Sequence, residues 1–297
     1  MKRNQSVKLL RPWTHCGVDR PAQVGNLAEG MVRLARLTIA QLRARYAERA
    51  ARLPRALEAE LRQDGRPGVI AMLKVIDARR RDHRSEGQRL RTMLRFESKL
   101  WHAGAERVAG IDEAGMGPLA GPVAAAAVIL PPGGRLPGVD DSKKLGEAER
   151  DRLGPVIRAQ ALAWAVAFVE PEEIDRINIY QAGLLAMRRA VEALGLQPQH
   201  LLIDGRRLPE LAMPQLSLVG GDCRSLSIAA ASILAKTARD ERMRAYDLSY
   251  PGYGFARHKG YGTREHTLAL LRLGLTPIHR RSFAPVQLAA KGQAGQT

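Results

Sequence analysis

Three aspartates stand where short apolar runs stop, and that pattern narrows the possible folds more than any other feature of the chain. Val108-Ala109-Gly110-Ile111 runs into Asp112-Glu113, and Leu201-Leu202-Ile203 runs into Asp204. Leu216–Val219 runs through two glycines into Asp222. Runs this short and this rich in Val, Ile and Leu read as strands, and Val123–Leu130 and Leu162–Val169 add two more. Between them, Glu147–Ala159, Tyr180–Leu194 and Ser225–Tyr246 carry helical spacing. Strands alternating with helices predict an α/β domain built on a mixed sheet flanked by helices, and argue against a helical bundle or a β-sandwich.

If the three strand ends are neighbours in that sheet, Asp112, Glu113, Asp204 and Asp222 converge. One Asp beside a Gly is ordinarily a turn or a helix cap. Four acids at three strand ends are not explained that way. Their mutual repulsion raises their pKa values unless a cation neutralises them, and an all-oxygen ligand set suits Mg²⁺ or Mn²⁺. Carboxylates holding two such ions drive in-line attack of water on a phosphodiester, with no Ser, Cys or His nucleophile.

The glycine-rich run after Glu113 has a rival reading. Gly115, Gly117 and Ala120 satisfy G-x-G-x-x-A, and Asp140 or Asp141 follows at the distance a dinucleotide fold uses. Asp112 and Glu113 would oppose a pyrophosphate with like charge, however, and Pro118 and Pro122 lead into a strand-like stretch where that fold needs a helix. What survives is a backbone without Cβ atoms, open to the close approach of a sugar.

Lys and Arg number 47 against 30 Asp and Glu, a net charge of +17 that points to a polyanionic partner. Residues 1–100 carry 23 basic and 10 acidic side chains, so +13 of that charge lies in the first third. The expected organisation is a leader at 1–30 that is disordered, or untranslated if Met31 is the start. A basic helical extension at 31–103 follows, a candidate substrate-binding appendage, then a catalytic domain at 104–286 and a polar tail at 287–297. Within the extension, Leu37–Leu61 and Val69–Leu100 read as two helices around a turn at 64–68. Two cysteines, Cys16 and Cys223, build no disulfide framework, and Cys223 is expected to be a small packed side chain. With no apolar run approaching the roughly 20 residues of a membrane span, and no signal peptide, the reading is a cytoplasmic monomer with no membrane partner.

Residues 109–123, Ala-Gly-Ile-Asp-Glu-Ala-Gly-Met-Gly-Pro-Leu-Ala-Gly-Pro-Val, resemble the signature of bacterial ribonuclease HII. Asp141-Ser142-Lys143-Lys144-Leu145, Ile203-Asp204-Gly205, Gly221-Asp222, Ser227–Lys236 with Arg239-Asp240, Tyr250–Phe255, His258–Thr263 and His279–Phe283 fall in that family's order. The extension, through residues 64–69 and 96–100, is more loosely similar to one that some members carry. The resemblance implies a ribonuclease H-like fold and a metal-dependent endonuclease using Mn²⁺ or Mg²⁺, two ions during catalysis. Such an enzyme cuts the RNA strand of RNA/DNA hybrids and nicks 5′ of ribonucleotides embedded in duplex DNA, leaving 3′-hydroxyl and 5′-phosphate ends. Asp112, Glu113, Asp204 and Asp222 become the metal and catalytic carboxylates. Gly115, Met116 and Gly117 become the loop that reads the 2′-hydroxyl, the one handle that separates the two sugars. Tyr261 becomes the side chain stacked on the neighbouring deoxyribose, and Ser142, Lys143 and Lys144 form a phosphate-contacting segment. The family usually has Arg where this chain has Met116, which removes a charged contact.

Ser232, Lys236 and Arg239 lie at i+4 and i+3 spacing and share a helix face near the acids. His258 and His279 are candidates for orienting water or touching phosphate, although a lone His is more often structural. The competing function is a non-catalytic, basic nucleic-acid-binding protein in which the acids are structural.

Overall fold

The computed structural model describes residues 38–48 and 51–294, so the expected leader at 1–30 and Cys16 lie outside the described residues. The chain forms two compact units that divide between His83 and Arg84. The first is helical: α1 (Ile39–Leu42), a π-helical turn (Arg43–Glu48), α2 (Arg55–Gln63) and the first turns of α3 (Pro67–Met93). Thr38 and Gln41 form a capping box that starts α1, and Pro54 is the N-cap of α2, splitting the single helix expected over Leu37–Leu61. Leu42, Tyr46, Leu57, Leu61, Val69 and Met72 make its core.

The second unit centres on a five-stranded sheet of order β3-β2-β1-β4-β5. The strands are β1 (Val108–Ala114), β2 (Val123–Ile129), β3 (Ala163–Val169), β4 (His200–Asp204) and β5 (Gln215–Leu218). All five apolar runs are strands, as predicted. β1, β2 and β3 pair antiparallel, whereas β4 and β5 run parallel to β1. The helices of this unit are α4 (Arg95–His102), α5 (Glu147–Gln160), α6 (Pro171–Ile177), α7 (Ile179–Glu192), α8 (Leu226–Ser249), α9 (Phe255–His258), α10 (Arg264–Leu273) and α11 (Ala284–Ala294). One face of the sheet packs on α8 and the other on α7, which buries β2 on both sides. At Gly110 a Cβ would stand 2.1 Å from the Ser227 carbonyl carbon, so α8 rests on β1 two residues before Asp112.

The end of the expected extension packs with the sheet: the second compact unit begins at Arg84 because Leu90, Met93 and Leu94 enter the same core as α8 and because Glu97 is fully buried. Within the stretch expected as a tail, residues 287–294 lie in α11, whose Val286 and Ala289 are buried and hold the helix down. Among the described residues no helix is long and apolar enough to cross a membrane.

Candidate active site

Strand register brings the acids together. Ile111 pairs with Ile203 across parallel β1 and β4, so Asp112, still paired with Ala126 of β2, lies beside Asp204 at the end of β4. β5 pairs Leu218 with Asp204, and Gly220, at φ +63°, then turns the chain into a 3₁₀ turn over Gly221–Cys223. The Gly221 N–H donates to Asp204 Oδ1 at 2.6 Å, which fixes Asp222 beside Asp204. A side chain at 221 would strike Ile228 Cδ1 at 2.7 Å and hold the turn open.

Burial, then the charge of Glu113, pushes the Asp112 carboxyl well above the usual range; a Ser232 hydroxyl and the Glu113 N–H at 2.7 Å act against this. Burial and Asp204 raise Glu113, and burial with Asp222 nearby raises Asp204. Glu113 Oε2 is buried with no hydrogen-bond partner among the described residues. An orphaned carboxylate oxygen among like charges, in a set of oxygen donors only, fits a hard divalent cation. The closest grouping of possible ligands is different: Asp141, Asp222 and Cys223 stand within 4.8 Å of one another, closer than Asp112, Glu113 and Asp204 draw together. Asp141 is thus a fifth carboxylate at the site. It also accepts from the Lys143 N–H at 2.9 Å, turning Lys143 so that its Nζ reaches Asp222 at 3.4 Å.

The other predicted contacts separate. Lys144 is exposed and pairs with Asp140 at 3.3 Å. Ser142 is not at the surface: it is buried, with its hydroxyl 2.8 Å from that of Ser232. On α8, Ser232 reaches Asp112, but Lys236 turns to Asp240 at 2.5 Å and Arg239 serves the glycine loop.

That loop is held by two fully buried arginines, of which the sequence reading placed one near the acids and passed over the other. Arg280 donates to the carbonyls of Gly115 (2.6 Å), Met116 (3.1 Å) and Gly121 (2.9 Å). Arg239 donates to Ala120 (3.1 Å), Pro122 (2.9 Å) and Lys259 (3.0 Å). Because each peptide is planar and trans, carbonyls aimed inward at Arg280 send the N–H groups of Met116 and Gly117 outward. At Gly115, φ +93°, a Cβ would collide with Arg239 at 2.1 Å. Tyr261, 44% exposed, is the nearest neighbour of a Cβ built on Gly117, at 3.8 Å, so the loop and the ring flank one open space. Met116 lays its sulfur against Gly183 of α7, 3.0 Å from where a Cβ would be.

Neither histidine reaches the acids. His258 and His279 are buried with His266 around Phe255; the rings of His258 and His266 stack at 4.6 Å, and the Nε2 atoms of His266 and His279 are 3.1 Å apart. Burial lowers the His279 pKa to about 4. Cys223 is exposed rather than packed, its thiol 3.6 Å from Asp141. The 3₁₀ turn that frees Asp222 also lifts Cys223 out of the core.

The family model described as ribonuclease HII matches residues 109–286, and that of the ribonuclease HII N-terminal domain matches residues 38–101. A ribonuclease HII from Anaeromyxobacter sp. (strain Fw109-5) is 57% identical over 256 residues, covering 86% of this chain and 81% of that one. Another, from Myxococcus xanthus (strain DK1622), is 54% identical over 263 residues, covering 88% and 90%. The ribonuclease H2 structure from Pyrococcus horikoshii OT3 shares the fold at a TM-score of 0.55 and 24% identity, over 62% of this chain and 97% of that one.

Proposed function

Given that this chain belongs to the ribonuclease HII family of endoribonucleases, we propose that it nicks duplex DNA 5′ of embedded ribonucleotides as well as cutting RNA/DNA hybrids, with Mn²⁺ or Mg²⁺. The observation that carries this reading is the parallel register of Ile111 with Ile203, which sets Asp112 and Glu113 beside Asp204 and Asp222. Family membership decides against the binding-only alternative. Asp112, Glu113, Asp204 and Asp222 would hold the cations, two during catalysis. Bound ions of this kind would supply Lewis acidity at the phosphate and a water more acidic than bulk water.

The chain's own residues do the selecting. The outward N–H groups of Met116 and Gly117 donate to the 2′-hydroxyl oxygen, and the loop without Cβ atoms lets the sugar approach. Tyr261 stacks on the next deoxyribose, which a 2′-hydroxyl would crowd. Lys143, 79% exposed at its side chain and anchored through Asp222, offers its charge to the phosphate, with Lys144 further out. The products are a 3′-hydroxyl and a 5′-phosphate, and the reading places a monomer in the cytoplasm.

The test is a DNA duplex with one labelled ribonucleotide, incubated with Mn²⁺ or Mg²⁺, with EDTA and Asp112→Asn as controls. A metal-dependent nick on the 5′ side, lost in the variant, is the expected result. Cleavage of a long hybrid without the nick would overturn junction reading, and no cleavage of either would overturn the reading entirely.

A further inference from the structure

Near Glu113 the site carries a cation besides Lys143 that the mechanism above does not use. Gly205, at φ +66°, reverses the chain straight after Asp204, and the Arg206 N–H donates back to the Asp204 carbonyl at 2.7 Å. The side chain of Arg206 then lies over the Tyr180 ring, its guanidinium carbon 4.6 Å from the ring centre. Among the described residues Arg206 has no carboxylate at ion-pair distance, although its charge is felt at Glu113. Tyr180 is 48% exposed, lies in the first turn of α7 and walls a cleft of about 450 Å³. Its helix is the one on which Met116 of the glycine loop rests, at Gly183. Loop and guanidinium therefore both rest on α7, and the Arg206 charge reaches Glu113 from there.

A guanidinium held over an aromatic face is attracted to the ring and loses less side-chain entropy when its N–H groups bind a ligand. A phosphate is the ligand that a planar fork matches in charge and shape. This edge is also where a duplex needs a positive charge, since the clustered carboxylates repel its backbone and Lys143 pairs with Asp222 alone among them. We propose that Arg206, oriented by Tyr180, is a subsite for a backbone phosphate adjacent to the scissile one. This rests on the proposed cleavage reaction, in which the duplex lies across the carboxylates. Tyr180 is a positioning residue: it holds the guanidinium over its ring and does not itself bind the phosphate.

The experiment measures both binding and turnover on the full chain. Binding is followed by fluorescence anisotropy of a ribonucleotide-containing duplex in EDTA, so its result stands even if cleavage fails. Arg206→Ala is expected to weaken binding about tenfold and to reduce the slope of log K against log salt by about one phosphate's worth, ~0.9. Arg206→Lys keeps the slope but loses the fork, and Tyr180→Ala weakens binding several-fold while leaving the slope intact. In turnover, the loss for Arg206→Ala falls on KM rather than kcat. The exposed neighbour Arg207 supplies the comparison. If Arg207→Ala changes the slope as much as Arg206→Ala, the effect is net charge and the subsite is refuted. A loss confined to kcat would also refute it, because the guanidinium would then be acting on the carboxylates. Single methylphosphonates placed either side of the cut identify the phosphate: one position should weaken binding by wild type but not by Arg206→Ala. No such position within the duplex would overturn the assignment.

Discussion

Glu97 joins the last helix of the extension to the start of α8, beside the clustered carboxylates, and removing it should unfold more than a surface substitution can. The side chain is completely buried and accepts from Ser225 Oγ at 2.6 Å, Ser227 N at 2.9 Å and Ser227 Oγ at 2.7 Å, all at the start of α8. An acid at a helix N-terminus satisfies donors the helix cannot bond itself and meets the positive end of its dipole. The same first turn lies on β1 at Gly110 and follows Asp222 by three residues. Glu97→Ala leaves these donors in a dry interior, where each orphaned donor costs about 1–3 kcal/mol; the summed loss is put at about 3–5 kcal/mol. For a unit of this size that corresponds to roughly 10 °C in Tm. Glu97→Gln keeps an acceptor oxygen and should lose only about 1–2 kcal/mol. Urea unfolding of the full chain, monitored by circular dichroism, reads the loss as a fall in midpoint at constant m. A chain starting at Arg84 should keep the cap and the cleavage activity, whereas one starting at residue 104 should not fold. The reasoning is refuted if Glu97→Ala shifts stability by less than about 0.5 kcal/mol, the range of an ordinary surface change, or if the chain from 104 folds and cleaves.

Asp112→Asn should abolish cleavage yet raise the Tm of the metal-free protein at pH 7. The raised Asp112 pKa means the fold disfavours the ionised form, a penalty that appears as pH rises above the unfolded value; a lower Tm would contradict this. Burial holds His279 neutral with a pKa of about 4 against 6.5, and Thr276 N donates to its Nδ1 at 2.9 Å. Its contribution is complete above pH 6.5 and is lost as pH falls toward 4, about 3 kcal/mol at most. Denaturant unfolding at pH 7.5 and pH 4.5 should show the decline, and His279→Gln should flatten it. Arg280→Lys cannot bond three carbonyls in a plane, so cleavage at a single ribonucleotide should fall about tenfold more than cleavage of a uniform hybrid. Equal losses on the two substrates would show that Arg280 does not shape the reading loop. Met116→Arg should tighten binding of a junction duplex and keep the cut position; unchanged or weaker binding in a titration would count against a missing phosphate contact.

The strands and the three acid-bearing strand ends were legible from residue order because both are local. A strand buried on two faces is a continuous apolar run, as at Val123–Ile129, and an acid that ends such a run stands out against it. The glycine loop was legible for the same reason. The clamps were not. Arg280 reaches Gly115 across 165 residues and Glu97 reaches Ser227 across 130, and no period or spacing records a partner that far away. Ser142 and His279 read as polar candidates because a sequence shows residue type and not depth. Packing alone put one against Ser232 and the other against Phe255. Arg206 and Tyr180 came together only because Gly205 turns the chain back over α7. Apolar periodicity thus wrote the sheet and its acids into the chain, whereas burial and long-range contact, which depend on how the sheet and helices close on one another, chose the side chains that hold them.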